Sequence, residues 1–212
     1  MHAKEIFNTL IKGTVAPFLK RNGFQKKSLN FYRKKDGLLF MINFQNDTSN
    51  SHWNNRFFVN IGIHSPSVAK TLDPSAEIPA KIHLYLFSDR VNQITGSAYP
   101  FHELNEEANL EDTTIYLMSD LEKLMTFFNK ITSDEALMDI LIYTRGLYRY
   151  EEALLYIIRT GKMDKMKGYA QKIFAVKINV GDRWSFFENR INSILAQEGI
   201  EKSLVDYIAK LI

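Results

Sequence analysis

Hydrogen-bonding side chains occupy alternate positions in two short segments of the chain, 38–46 and 56–64. Because successive side chains of a β-strand point to opposite faces, these residues share one face and their apolar neighbours share the other. A fourth strand over 81–87 would add an imidazole and a phenol. The predicted binding residues on this polar face are Asn43, Gln45, Asn60, His64, His83 and Tyr85. Such groups on a rigid sheet can bind a polar ligand or a peptide, and Gly62 in mid-strand would allow a close approach.

Other interpretations of the polar face stay open. Antiparallel sheets commonly leave one face to water, which alone would explain the amides. A metal held by His64 and His83 has no acidic ligand at a recognisable spacing, and His64 as a general base has no visible nucleophile or orienting carboxylate. The chain has no cysteine and none of the common nucleotide-binding or hydrolase motifs. We therefore predict no catalytic residue, no metal site and no cofactor, with an enzyme pocket on this face as an alternative.

A second candidate surface is basic. Its cations are Lys20, Arg21, Lys26, Lys27, Arg33 and Lys35. Together with Phe24, Phe31 and Tyr32 they could contact phosphates and stack on bases. In the competing interpretation, Phe24 and Phe31 belong to the core, and lysines at a sheet edge discourage aggregation. Nucleic-acid binding through residues 20–35 is therefore the alternative to protein binding. Trp53, in a polar loop, is a third candidate, because exposed aromatic side chains often anchor interfaces.

The elements that position these residues follow from periodicity. Helical spacing of apolar residues predicts a first helix over 4–22, with an irregularity near Gly13 and Pro17. Strands are predicted over 29–35, 38–46 and 56–64, the first two joined by an Asp36-Gly37 hairpin turn. Their apolar face, on which the first helix would pack, is predicted to be Phe40, Ile42, Phe44, Phe57, Val59, Ile61 and Ile63.

The second half of the chain has a helical pattern. Capping boxes at Ser119-Asp-Leu-Glu122 and Thr132-Ser-Asp-Glu135 predict two helix starts. Further helices are predicted over 149–160, 163–176, 183–197 and 201–211, and 113–118 is a possible extra strand. The fold class is therefore α+β: an N-terminal helix packed on a small antiparallel sheet in residues 1–118, followed by an all-helical region in 119–212.

Composition and charge limit the function classes. The 212 residues are 45% hydrophobic and 24% charged, which is typical of a globular protein. No apolar run is long enough to span a bilayer, so a cytoplasmic protein without membrane contact is expected. The net charge of +3 is uneven, because residues 1–60 carry ten Lys/Arg against three Asp/Glu. An acidic stretch comprises Glu103, Glu106, Glu107, Glu111 and Asp112.

Short motifs in the N-terminal part carry a resemblance to a known family. They are the runs Phe18-Leu-Lys-Arg-Asn-Gly-Phe-Gln-Lys-Lys27, Phe31-Tyr-Arg33, Ile42-Asn-Phe-Gln45 and Phe58-Val-Asn-Ile-Gly62. In this order they resemble the bacterial domain of unknown function 4304 family over roughly residues 4–130. The resemblance implies an α+β domain in a bacterial cytoplasmic protein and carries no established activity. With the polar face and the Trp53 loop as the expected surface, the predicted function is non-enzymatic binding of a protein partner or ligand; an immunity-like or regulatory role rests on fold-level analogy.

Overall fold

The computed structural model describes residues 2–105, 110–144 and 146–207. These residues form two compact units. The α+β unit comprises the described residues up to Ser65 and those of Ile78–Thr132, and the helical unit comprises Pro66–Glu77 and the described residues from Ser133 onward. The boundary predicted between residues 118 and 119 falls inside a helix.

The α+β unit begins with helix α1 (Ala3–Leu10), a π-helical segment (Ile11–Val15) and helix α2 (Ala16–Arg21). Pro17 has no N–H to donate, so an unbroken α-helical ladder is impossible here. Instead, one helical turn contains an extra residue, so that the Ala16 N–H donates to the carbonyl of Ile11, five residues earlier in the chain. The irregularity predicted near Pro17 is therefore a π-turn. Gly23, at φ +83°, then reverses the chain.

Among the described residues, six strands form one antiparallel sheet. They are β1 (Gln25–Lys27), β2 (Asn30–Lys35), β3 (Leu38–Asn46), β4 (Asn54–His64), β5 (Phe87–Arg90) and β6 (His102–Asn105). Strands β1 to β5 are neighbours in that order, and β6 pairs with the first residues of β4. Asp36 and Gly37 both have positive φ (52° and 79°), as the predicted primed hairpin turn requires.

The inner face of the sheet is the core of the unit. All seven residues predicted for the apolar face are buried, none more than 2% exposed, so that prediction is confirmed. Phe7 of α1 packs on Phe57, with ring centroids 5.0 Å apart. Phe128 packs on Phe40 at the same separation, and it belongs to the long helix α5 (Leu110–Lys130). Two helices thus cover a face that the sequence assigned to one.

Three local predictions in the α+β unit are wrong. Residues 81–87 are not a strand: Ile82–Leu84 is a 3-10 turn, and β5 begins only at Phe87. Residues 113–118 and Ser119 lie within α5, so there is neither an extra strand nor a capping box there. The apolar series Leu117, Leu121, Leu124 and Phe128 continues across Ser119, and this helical face outweighs the local capping pattern. A short helix α4 (Val91–Thr95) precedes β6.

The helical unit contains α3 (Pro66–Leu72), α6 (Asp134–Thr144), α7 (Tyr150–Arg159), α8 (Met166–Ala175), α9 (Lys177–Val180) and α10 (Trp184–Gln197). α3 packs on α7, which also contacts α6, α8 and α10. The cap of α6 is Ser133 rather than Thr132, because its Oγ accepts from the Ala136 N–H at 3.1 Å. Of the helix predicted over 201–211, the described residues form only a 3-10 turn, at Val205–Tyr207. Residues 208–212 lie outside the described residues.

Candidate binding face on the sheet

A row of amide side chains crosses the outer face of the sheet, opposite the core. Asn30, Asn43 and Asn60 lie on β2, β3 and β4 and are register partners, Asn30 with Asn43 and Asn43 with Asn60. Directly paired residues share a face, so the antiparallel register alone brings the three side chains into one line. Gln45, two residues after Asn43, lies diagonally beside Asn60. We call these four residues the amide row.

Hydrogen bonds hold the amide row together. Asn43 Nδ2 donates to Asn30 Oδ1 (2.6 Å), and Asn60 Nδ2 donates to Asn43 Oδ1 (3.1 Å) and Gln45 Oε1 (2.8 Å). The described residues make no further side-chain hydrogen bond through Asn30 Nδ2, Asn60 Oδ1 or Gln45 Nε2. The row is therefore fixed internally and presents donors and an acceptor at its two ends.

Part of the outer face is covered by the chain itself. Residues 78–86 cross the sheet and lay Ile82 and Tyr85 on Gly62, where an added Cβ would stand 2.7 Å from Ile82 Cγ1 and 2.9 Å from Tyr85 Cδ2. Gly62 thus allows a close approach, as the sequence predicted, but the group that approaches is the protein's own. Burial, with a smaller contribution from Tyr32, raises the pKa of Tyr85, so its phenol stays neutral at physiological pH.

Two grooves flank this crossing segment. The larger, about 590 Å³, lies between β2 and the crossing segment; its lining includes Lys27, Asn30, Tyr32, Lys34, Ile78 and Tyr85. The smaller, about 270 Å³, is lined by Gln45, Asn60, His83, Ser88 and Arg90, among others. Arg90 is held over the ring of Phe58 at 3.9 Å. One end of the amide row therefore opens into the larger groove and the other end into the smaller one.

The family of the chain follows from its sequence match. A family model described as "Domain of unknown function (DUF4304)" matches residues 15–141, more than half of the chain. The chain belongs to the DUF4304 family. Comparison with curated proteins and with solved structures found no match. The matched segment runs from the end of the π-turn into α6, so the amide row and both grooves lie inside the DUF4304 region.

The residues that carry the DUF4304 resemblance have distinct positions in the structure. Asn60 belongs to the amide row, whereas Gly62, two residues on, lies under Tyr85. The Arg33 guanidinium packs between the rings of Phe24 and Phe40, at 4.9 and 4.8 Å from their centroids. Burial lowers the pKa of Arg33, but the group remains a cation because its ordinary pKa is far above neutrality.

The predicted binding residues do not all meet in this DUF4304 protein. Asn43, Gln45 and Asn60 are joined, and His83 lines the smaller groove beside them. His64 is only 3% exposed, with its ring 5.4 Å from that of Tyr85, so neither of these two side chains presents much surface to a ligand. Trp53 is 60% exposed, but its ring contact is with His52, at 4.7 Å, next to the start of α1.

The basic residues are also divided. Lys26 and Lys27 are adjacent on β1 and therefore point to opposite faces of the sheet. Lys27 lines the larger outer groove, whereas Lys26 and Lys20 line another groove on the helix side. Lys35 is within 3.9 Å of Asp36, and Arg21 is exposed at the end of α2. The residues predicted to form one cluster are thus divided over separate surfaces. In the predicted acidic stretch, Glu106 and Glu107 lie outside the described residues.

Sequence reasoning missed three features of the DUF4304 fold. The first is Asn30, although its register with Asn43 could be read from the hairpin turn, and the second is Arg90, which no sequence pattern marks. The third is a buried polar pair: His102 (5% exposed) lies near Asp120 (2% exposed), whose Oδ1 accepts from the Thr95 hydroxyl at 2.8 Å. Burial lowers the pKa of His102, while the negative charge of Asp120 raises it to a lesser extent.

Across the ranges that the structure describes, no three His, Cys, Asp or Glu side chains are grouped so that they could hold a metal ion. Across those ranges there is also no helix whose length and apolarity would let it cross a membrane.

Proposed function

We propose that this protein is a partner-binding protein that holds an extended, polar segment of another protein on the outer face of its sheet. The observation that carries the proposal is the amide row, which joins the two outer grooves. Primary amides offer donors and acceptors in the same group, which is what a peptide backbone requires. They stand on central strands, so little side-chain entropy remains to be lost on binding.

The dimensions support an extended peptide. Neighbouring strands are about 4.8 Å apart, so the row spans roughly 10 Å over three strands. An extended chain covers this distance with about three residues. The bound segment would run along the amide row, and the side chains at its two ends would enter the larger and the smaller groove.

Charge supports an acidic segment. Lys27 and Lys34 line the larger groove, and Arg90 lines the smaller one, with Asp89 as the acidic residue beside it. Complementary charge speeds association and fixes orientation more than it adds affinity. An immunity-like or regulatory role would follow if occupancy of this face blocks the partner's own activity.

Site-specific photo-crosslinking in the source cells tests this proposal. A photoreactive amino acid replaces Tyr32 in the larger groove or His83 in the smaller one, and Phe186, exposed on α10, is the control position. We expect both groove positions, but not Phe186, to crosslink the same protein. The product should resist nuclease. A double variant, Asn43→Ala with Asn60→Ala, should reduce its yield, whereas Asn189→Ala, an exposed amide on α10, should not.

Three results would contradict the proposal: no crosslink from either groove, equal crosslinking from Phe186, or a product that nuclease removes. The last result would favour nucleic-acid binding. His64 is left unchanged in these experiments because it is buried, so its substitution would test folding rather than binding.

A further inference from the structure

A separate groove lies on the helix side of the sheet edge, between α2 and β1. It has a volume of about 550 Å³ and is lined by Lys12, Ala16, Pro17, Lys20, Phe24, Lys26 and Phe31, with Gln25. We call it the α2–β1 groove. It shares no lining residue with the two outer grooves, so it is an independent surface.

The floor of the α2–β1 groove is apolar and rigid. Phe24 and Phe31 are 3% and 1% exposed, so each ring is fixed in the core and offers only a small surface to the groove. Phe31 is further held edge-on against Phe44, with centroids 5.7 Å apart. Ala16 and Pro17 complete the floor from the side of α2. A concave apolar floor of this kind fits a single protruding side chain.

The rim of the groove is positive. Lys12, Lys20 and Lys26 line it, and in the described ranges none of the three has a carboxylate within 4.0 Å. Among residues 1–46 only Glu5 and Asp36 are acidic. Nearby acids therefore do not neutralise the three ammonium groups, and their charges are available to a negative ligand.

The π-turn forms part of the groove wall. Lys12 lies within the π-helical segment, and Ala16 and Pro17 follow it directly. The π-turn follows from the missing N–H of Pro17, and it places Lys12, Ala16 and Pro17 along one wall of the groove.

We propose that the α2–β1 groove is a docking site for an acidic segment of a partner protein, which inserts one apolar side chain onto the floor and places carboxylates at the lysine rim. A nucleic acid fits less well, because the small exposed surfaces of the Phe24 and Phe31 rings are too limited for a base to stack on. A membrane surface fits less well because it calls for protruding apolar side chains rather than a concavity.

Selection of short random peptides displayed on phage, with the full-length protein as target, tests the docking site. The peptides obtained are then synthesised with a fluorescent label and their affinities are measured by anisotropy. We expect them to combine several acidic residues with an apolar one. Lys26→Glu should weaken their binding by at least about tenfold, as the loss of a charge-assisted contact predicts. Ala16→Leu, which fills the floor without changing charge, should weaken it as well.

Lys4→Glu is the matched control. It makes the same charge change at an exposed lysine of α1 that lines none of the three grooves described above, and it should alter the affinity by less than about twofold. The proposal is overturned if the selected peptides are not acidic, if Lys26→Glu and Lys4→Glu act equally, or if no peptide is selected. It is also overturned if a single-stranded DNA oligonucleotide or vesicles of anionic lipid bind more tightly than every peptide and lose binding on Lys26→Glu.

Failure here is distinguishable from failure of the proposed function. Crosslinking through the outer face depends on Tyr32, His83 and the amide row, whereas the peptide selection reports on Lys26 and Ala16. Each result can therefore be positive while the other is negative.

Discussion

The ring of Tyr85 rests on the backbone of Gly62. A Cβ at position 62 would lie 2.9 Å from Tyr85 Cδ2 and 2.7 Å from Ile82 Cγ1. This contact fixes the segment that separates the two outer grooves, so the shape of both grooves depends on the absence of a side chain at one position of β4.

Gly62→Ala should therefore displace the crossing segment and destabilise the protein by about 1–3 kcal/mol, because a methyl group is forced into a filled space. Gly13→Ala is the control, since a Cβ there meets nothing within 4 Å and its φ is not positive. It should be neutral or slightly stabilising. Urea unfolding of both variants checks the prediction, and equal stability would contradict it.

The stability of the α+β unit should fall as the pH drops below about 6.5, because of His102. Burial holds its pKa below the unfolded value, so the unfolded state takes up the proton first. The full stability is therefore present above the pKa that His102 has in the unfolded state. As the pH falls, the stability declines until the pH reaches the lower pKa that His102 has in the folded state. Measurement of the unfolding free energy from pH 7.5 down to about 5 should give a clear slope for the wild type and a smaller one for His102→Gln. Identical slopes would show that another group is responsible.

Ser133→Ala should cost about 1 kcal/mol, because the first turn of α6 loses the oxygen that accepts from the Ala136 N–H. Ser119→Ala is the matched control. Ser119 lies within α5, where alanine favours the helix and there is no cap to lose, so its effect should stay within about 0.5 kcal/mol. Thermal unfolding of both variants measures the two changes in stability. A larger loss of stability for Ser119→Ala than for Ser133→Ala would mean that Ser119, and not Ser133, caps a helix.

Phe44→Ala should destabilise the protein by about 3–5 kcal/mol, since the ring is 1% exposed and packs between Phe31 and Phe57. Lys34→Ala, on the neighbouring strand and exposed, should change stability by less than about 0.5 kcal/mol. Chemical denaturation of the two variants provides the measurement. A small effect of Phe44→Ala would be inconsistent with its place in the core.

The contrast between the two serines illustrates what sequence could predict. Alternation of apolar and polar residues is a local pattern. It therefore identified β3 and β4 and their buried face, and it placed Asn43, Gln45 and Asn60 on the opposite face of the sheet. A capping box is also local, but Ser119 lies where the apolar series from Leu117 to Phe128 already fixes a helix on the core. Tertiary packing therefore decided between two locally acceptable structures.

The candidate site was only partly predictable for a related reason. Register through the Asp36-Gly37 turn aligns Asn30 with Asn43, and this could have been read from the sequence. The contact between Tyr85 and Gly62 could not be predicted from the sequence, because the separation of these two residues in the chain carries no periodic signal. The segment that carries Tyr85 also covers His64 and places His83 in the lining of the smaller groove.

The path of the chain between the two units has a consequence for any attempt to divide the protein. The polypeptide leaves the α+β unit after Ser65, returns at Ile78 and leaves again after Thr132, so neither unit is a continuous stretch. A chain cut after Thr132 would keep α3 but lose α7, on which α3 packs, and would expose Val68. The segment that matches the family, residues 15–141, has the same defect and also lacks α1. Both compact units therefore include residues that lie outside the segment matched by the family model.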